Sequence, residues 1–168
     1  MDPRIRPARP DDVPALLGLV HELAVYEKEP DAATATAEQF GEVLFPVDGA
    51  PTAYAHVAEV AGADGEPRVV GCAIWFLSFS TWTGRNGIWL EDLYVTPDQR
   101  GSGLGGALLA TLAEICVERG YTRLEWMVLD WNEPSIGFYR SIGAESMDEW
   151  TRFRLDGDAL SAVSGLGR

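Results

Sequence analysis

The stretch Leu90-Glu91-Asp92-Leu93-Tyr94-Val95-Thr96-Pro97-Asp98-Gln99-Arg100-Gly101-Ser102-Gly103-Leu104-Gly105-Gly106 decides how the rest of the chain is read. Leu90, Leu93 and Val95, with Trp89 and Tyr94, have the apolar, aromatic and β-branched character of a strand. Pro97 stops that strand because it has no backbone donor. Gly101, Gly103, Gly105 and Gly106 then open a helix in which Leu104, Leu108, Leu112 and Cys116 recur every four residues, up to a C-capping Gly120. A helix entered through glycines leaves its first N–H groups uncovered at the positive end of its dipole. Strand, turn and helix together therefore offer a seat for a phosphate or pyrophosphate.

Outward from this stretch, the 168 residues suffice for one domain spanning 1–168 with a real core. Ile5 between polar neighbours reads as a short strand. Asp11 or Asp12 can cap a helix with Leu16, Leu19, Val20 and Leu23 on one face, ending near Tyr26. Thr36 opens a second helix. Tyr54, Val57 and Val60 begin a strand region, and residues 69–79 form a long apolar strand. The Asn86-Gly87 pair predicts a hairpin turn between aromatic runs. Residues 121–129 read as the next strand. Asn132 caps a short helix with Pro134 in its first turn, stopped by Gly143. Residues 145–155 read as one or two final strands, and the tail from Gly157 as a frayed helix.

Composition excludes several functions. The net charge of −13, with Lys28 the only lysine, argues against nucleic acid or an anionic membrane as partner. No apolar run reaches the ~20 residues of a membrane span, and the N-terminus lacks a signal-peptide core, so a cytoplasmic location is expected. Cys72 and Cys116 lie in apolar patterns without metal-ligand spacing, and no metal site is expected.

Residues 101–106 also fit G-x-G-x-x-G, the dinucleotide fingerprint, with Glu125 about twenty residues on. The glycines do not follow the strand directly, however, and the preceding strands are joined by hairpins rather than crossover helices. Read from Arg100, the stretch is Arg-x-x-Gly-x-Gly. With Leu90-Glu91-Asp92-Leu93-Tyr94-Val95 before it and Trp131-Asn132-Glu133-Pro134-Ser135-Ile136-Gly137-Phe138-Tyr139 after the next strand, it resembles the GNAT superfamily of N-acetyltransferases. Adding Ala24-Val25-Tyr26-Glu27, the resemblance is to the spermidine/spermine (diamine) subgroup, over nearly the whole chain.

That resemblance implies an α/β (α+β) fold: a mixed, mostly antiparallel central sheet, splayed in the middle and flanked by about four helices. It implies an acetyl-CoA-dependent N-acetyltransferase acting on a primary amine of a small basic metabolite by direct attack through a tetrahedral intermediate. Arg100, Gly101, Ser102, Gly103, Leu104, Gly105 and Gly106 would hold the pyrophosphate. Leu93, Tyr94 and Val95 would pair with the pantetheine arm through backbone groups, and Asn132, Ser135 and Tyr139 would also contact the cofactor. Asn132, Ser135 and Tyr139 fall on one helical stripe.

Tyr139, protonated near neutrality, is the candidate acid for the leaving thiolate. Glu91 is the candidate base for the attacking amine. Glu91 and Asp92 cannot both face one cleft without a bulge, because strand neighbours point to opposite sides, and the resemblance implies a bulge near here. Tyr26, Glu27, Trp82, Glu91, Asp92, Glu149 and Trp150 are candidates for holding the amine, by charge or over an aromatic face. The tip Ser80-Thr81-Trp82-Thr83 carries no acid, which leaves diamines and thialysine-like amino acids open beside polyamines. A homodimer with Trp150, Phe153 and Leu155 at its interface is implied too. A non-catalytic acyl-CoA-binding module of the same fold and a protein or peptide N-acetyltransferase are the competing readings.

Overall fold

The computed structural model describes residues 2–166 and falls into two compact units, Met1–Met127 and Val128–Arg168. The first holds a five-stranded sheet in the order β1 (Ile5–Pro7), β2 (Tyr54–Ala61), β3 (Pro67–Ser80), β4 (Arg85–Val95) and β5 (Leu124–Trp126). The first four strands pair antiparallel, and β5 joins β4 in parallel. Residues 70–75 of β3 are buried without a break, as both faces of the sheet are covered.

On one face, α1 (Val13–Tyr26) and α2 (Ala37–Leu44) set Leu16, Leu19 and Leu44 against Val57, Cys72, Ile74 and Tyr94. The crossover helix α3 (Leu104–Arg119), between parallel neighbours β4 and β5, buries Leu104, Leu108 and Leu112 and ends at Gly120, whose φ of 64° makes the left-handed cap. Thr36 and Gln39 form the capping box that starts α2. The start of α1 is held differently. The Asp12 carboxylate takes the Arg9 N–H at 2.7 Å and both terminal nitrogens of Arg6, at 2.6 and 2.9 Å, while Arg6 also reaches Glu59 on β2.

The second unit contains α4 (Glu133–Ser141) and α5 (Gly157–Ser164). The Asn132 side chain accepts the Ser135 N–H at 3.4 Å to cap α4. Among the described residues no helix is long and apolar enough to cross a membrane.

The described residues form five α-helices, in keeping with the expected number of about four. Two expectations need correction. Asn86-Gly87 is not the hairpin turn: the chain reverses over residues 81–84, and both residues lie inside β4 opposite Phe79 and Ser78. Gly87 is there because another chain comes close, since a Cβ would meet Arg123 Cγ at 2.6 Å and Arg123 O at 2.9 Å. Residues 145–155 form no strand. Thr151, Phe153 and Leu155 alternate with Arg152 and Arg154 as a strand would, but the described part of this unit contains no strand for them to pair with.

Candidate active site

The register of β4 against β3 skips one residue: Leu90 stands opposite Trp75 and Asp92 opposite Ile74, so Glu91 is the extra residue of a bulge. The bulge brings two carboxylates to one face. Trp89 Nε1 donates to Glu91 Oε2 at 2.9 Å, which puts Glu91 on the side of Trp89 and its cross-strand neighbour Phe76. Asp92 lies opposite Ile74, two residues along β3 from Phe76 and therefore on the same side. This is the α1 face, where Ile74 and Tyr94 are packed.

The bulge also changes which peptide groups point outward. Before it, Thr122 N–H donates to Asn86 O and Ile88 N–H to Arg123 O, both at 3.0 Å, so even-numbered residues face β5. After it, Thr96 N–H donates to Val70 O at 2.9 Å, so even-numbered residues face β3 and Leu93 and Val95 face the other way. Pairing with β5 stops at Leu90–Trp126, so among the described residues the rest of β4 has no strand on that side. The sheet is splayed where the sequence reading expected it, with a length of unpaired strand edge beyond the bulge.

At the end of this edge, Gly101 and Gly103 adopt φ of 78° and 84°, a conformation that side chains disfavour. Gly103 is the N-cap of α3, and no side chain caps the helix. A Cβ at Gly105 would find open space, so the glycine leaves the first turn bare. Arg4, whose guanidinium is ion-paired with Asp2 at 2.7 Å, also donates to Ser102 O at 3.3 Å and braces the loop. An isolated arginine near a terminus has no sequence signature, and Arg4 did not emerge from the sequence.

Arg100 does not point along the loop. Its guanidinium lies 4.7 Å from the Tyr26 ring centroid and 5.6 Å from that of Tyr94, and its Nε donates to Val95 O at 3.2 Å. The Tyr94 hydroxyl donates to Glu22 Oε2 at 3.2 Å, and burial together with Glu22 raises the phenol's pKa. Two residues assigned separately from sequence, Tyr26 and Arg100, thus rest on each other, with Tyr94 as the third member of the stack and Glu22 bonded to the Tyr94 hydroxyl. Burial raises the Glu27 carboxyl. Asp92 is pushed up to about 6, first by burial and then by the charges of Glu91 and Glu27. Trp82 stands at the hairpin tip, 90% exposed.

In the second unit, Asn132, Ser135 and Tyr139 follow one stripe of α4. Asn132 is buried, and burial raises the Tyr139 phenol, which keeps it protonated. Glu149 and Trp150 lie in the irregular segment before α5, both exposed.

An arginine-led glycine turn, a bare helix N-terminus and a splayed strand edge form one continuous feature, and residues 19–144 match the acetyltransferase (GNAT) family. The chain belongs to that family and is an acetyltransferase. It is 38% identical to the thialysine N-epsilon-acetyltransferase of Bos taurus over 96% of each chain. It is 28% identical to the L-ornithine N5-acetyltransferase of Arabidopsis thaliana, over 97% of this chain and 88% of that one. It is 33% identical to the spermidine/spermine N(1)-acetyltransferase-like protein 1 of Homo sapiens, over 94% of this chain but 23% of that protein. Among solved structures, an integron cassette protein from the mobile metagenome of V. cholerae superimposes with a TM-score of 0.76 at 24% identity over 96% of each chain.

Proposed function

We propose that this chain moves the acetyl group of acetyl-CoA to the primary amine of a small basic metabolite, a diamine, a polyamine or a thialysine-like amino acid. The observation that carries the reading is the order of features along residues 91–106: an acidic pair at the bulge, an unpaired strand edge, then a bare helix N-terminus. This order suits an acyl donor laid along the strand, with its charged end on amides and its thioester beside the acids. The amides of residues 101–106 hold the pyrophosphate. Leu93 and Val95, whose peptide groups face the open edge, pair with the pantetheine arm, Tyr94 between them turns its own peptide groups to β3, and Asn132 and Ser135 are further cofactor contacts.

The acceptor arrives as an ammonium. Glu91, the base selected from sequence, and Asp92 form the acidic pole that receives the cation and its proton, with Tyr26 and Glu27 from the end of α1 beside them. Trp82, Glu149 and Trp150 are outlying acceptor contacts. The neutral amine attacks the thioester carbon. A backbone N–H of β4 stabilises the oxyanion, and Tyr139 protonates the thiolate as the tetrahedral intermediate collapses. Relatives named for thialysine and ornithine favour an amino acid bearing a terminal amine.

The chain acts as one catalytic domain and as a homodimer in the cytoplasm. A second copy covers Trp150, Phe153 and Leu155, which are exposed in the single chain. The charge of −13 leaves no role for nucleic acid or membrane.

Release of CoA from acetyl-CoA, measured against thialysine, ornithine, lysine, putrescine, spermidine and a basic peptide, tests the reading. Small amines are expected to turn over, and Tyr139→Phe to lower kcat roughly 100-fold or more without weakening acetyl-CoA binding. Unchanged kcat in Tyr139→Phe removes the general acid. A peptide as the fastest acceptor supports protein acetylation instead, and tight acetyl-CoA binding without turnover supports a binding module.

A further inference from the structure

Within the acidic pole, we propose a division of labour: Asp92 takes the proton from the acceptor ammonium, while Glu91 remains a fixed anion that helps hold the cation. This rests on the acetyltransfer reading above and assigns a role that the sequence had given to Glu91.

The bulge makes the assignment possible. In a regular strand Asp92 would point away from Glu91; with Glu91 as the extra residue, both lie on the α1 face. Their surroundings on that face then differ. The Glu91 carboxylate is exposed and already accepts the Trp89 indole N–H at 2.9 Å. That bond fixes the Glu91 carboxylate beside Trp89 at the open side of the bulge, where it can meet a cation without leaving water.

Asp92 has neither advantage. It is half-buried, and among the described residues no hydrogen bond or ion pair supports its carboxylate. The groups that face it are Glu91 on its own strand, Glu27 at the C-cap of α1 and Cys72 from β3. The first two are anions or potential anions, and the buried Cys72 thiol is held neutral, its pKa pushed up by burial and by Asp92 itself. Burial and the two neighbouring carboxylates therefore make the Asp92 negative charge harder to keep, the neutral Cys72 thiol offers it no counter-charge, and an arriving ammonium relieves it.

The chemistry follows from this arrangement. An alkylammonium has a pKa of about 10.4 and an ordinary aspartate about 3.9, a gap that leaves little free amine on the carboxylate. With Asp92 pushed up to about 6, the gap narrows while the group is still mostly ionised at neutral pH. The proton moves from the ammonium nitrogen to an Asp92 carboxylate oxygen, directly or through one water. The freed nitrogen pair forms the new bond to the acyl carbon, the carbon–sulfur bond breaks as Tyr139 protonates the thiolate, the surplus proton on nitrogen restores the Tyr139 phenol by way of solvent, and Asp92 returns its own proton to solvent.

The test is the pH dependence of kcat/KM with thialysine and acetyl-CoA for wild type, Asp92→Asn, Glu91→Gln and Glu27→Gln. Wild type is expected to show an acid limb bending near pH 6. Asp92→Asn should lose at least about 100-fold in kcat and lose the limb. Glu91→Gln and Glu27→Gln should raise the amine KM but keep the limb, moved to lower pH because each removes an anion beside Asp92. These two shifts test the assignment even where Asp92→Asn does not fold. A limb abolished by Glu91→Gln and retained by Asp92→Asn overturns the assignment. So does an Asp92→Asn enzyme that changes only the amine KM, or a limb unmoved by both glutamine variants. Wild type inactive on every amine overturns the acetyltransfer reading, and this assignment with it. An active wild type with the limb on Glu91 overturns the assignment alone.

Discussion

Replacing Arg6 by methionine is a quantitative test of how α1, and with it Tyr26 and Glu27, is seated on the sheet. Arg6 grips Asp12 with two hydrogen bonds of 2.6 and 2.9 Å and Glu59 with an Nε bond of 3.0 Å. The Asp12 side chain is 10% exposed and that of Glu59 32%. Removing one partner of a fully buried pair costs about 3–5 kcal/mol. Here Asp12 keeps the Arg9 N–H at 2.7 Å and Glu59 keeps water, so the loss should be about 2–3 kcal/mol. In a protein of this size that lowers Tm by about 5–10 °C.

The pH dependence of this loss has a definite sign. Arg6 holds the Asp12 carboxyl below its ordinary value, so the pair's contribution is complete above the unfolded value of about 3.9 and is lost as pH falls through the folded one. In the methionine variant Asp12 loses that depression, so the gap between variant and wild type should be wide at pH 7 and narrower well below the unfolded value, at about pH 2.5. Thermal unfolding followed by circular dichroism at both pH values measures it. A gap below about 0.5 kcal/mol, or one equal at the two pH values, refutes the reasoning.

Two further outcomes are expected. Gly87→Ala should destabilise by about 1–3 kcal/mol in a denaturant titration, because its Cβ would meet Arg123 O at 2.9 Å and Ser78 Oγ at 2.9 Å; a neutral result means that β5 can move aside freely. His56 is buried and accepts the Trp75 indole N–H on Nδ1 at 3.1 Å, and burial lowers its pKa. Below pH 6.5 the unfolded chain therefore binds the proton more readily, and stability falls as pH drops from 6.5 toward the folded value. His56→Gln should flatten that slope, and a slope unchanged by the substitution rules this origin out.

The local elements were legible in the sequence because their signals are local. The four-residue repeat of Leu104, Leu108 and Leu112, the Gly120 cap, the Thr36 box and the Asn132 cap each need only a few neighbours in the chain, and each appears as read. What could not be read depends on pairing. Asn86-Gly87 carries a turn signal, yet its glycine answers to Arg123, far along the chain. The alternation of Thr151, Phe153 and Leu155 is a strand pattern without a strand beside it. The site divides in the same way. The glycine turn and the acidic pair were visible in the residues themselves, whereas the bulge that turns Asp92 toward Glu91 is a property of two strands in register and was implied only by the family resemblance. The Tyr26–Arg100–Tyr94 stack likewise joins three separate segments.

The bulge at Glu91 has an evolutionary consequence as well. A strand with a period of two behaves like a reading frame, and the bulge is a single frameshift written into it. Losing one residue between Leu90 and Val95 would restore the regular frame, turn Asp92 to the opposite face and exchange the outward peptide groups of Leu93 and Val95 for those of their neighbours. Point substitutions alter one side chain and leave the frame intact. Descendants of this chain can therefore vary the chemistry of the strand residue by residue, while its length from Leu90 to Val95 stays fixed.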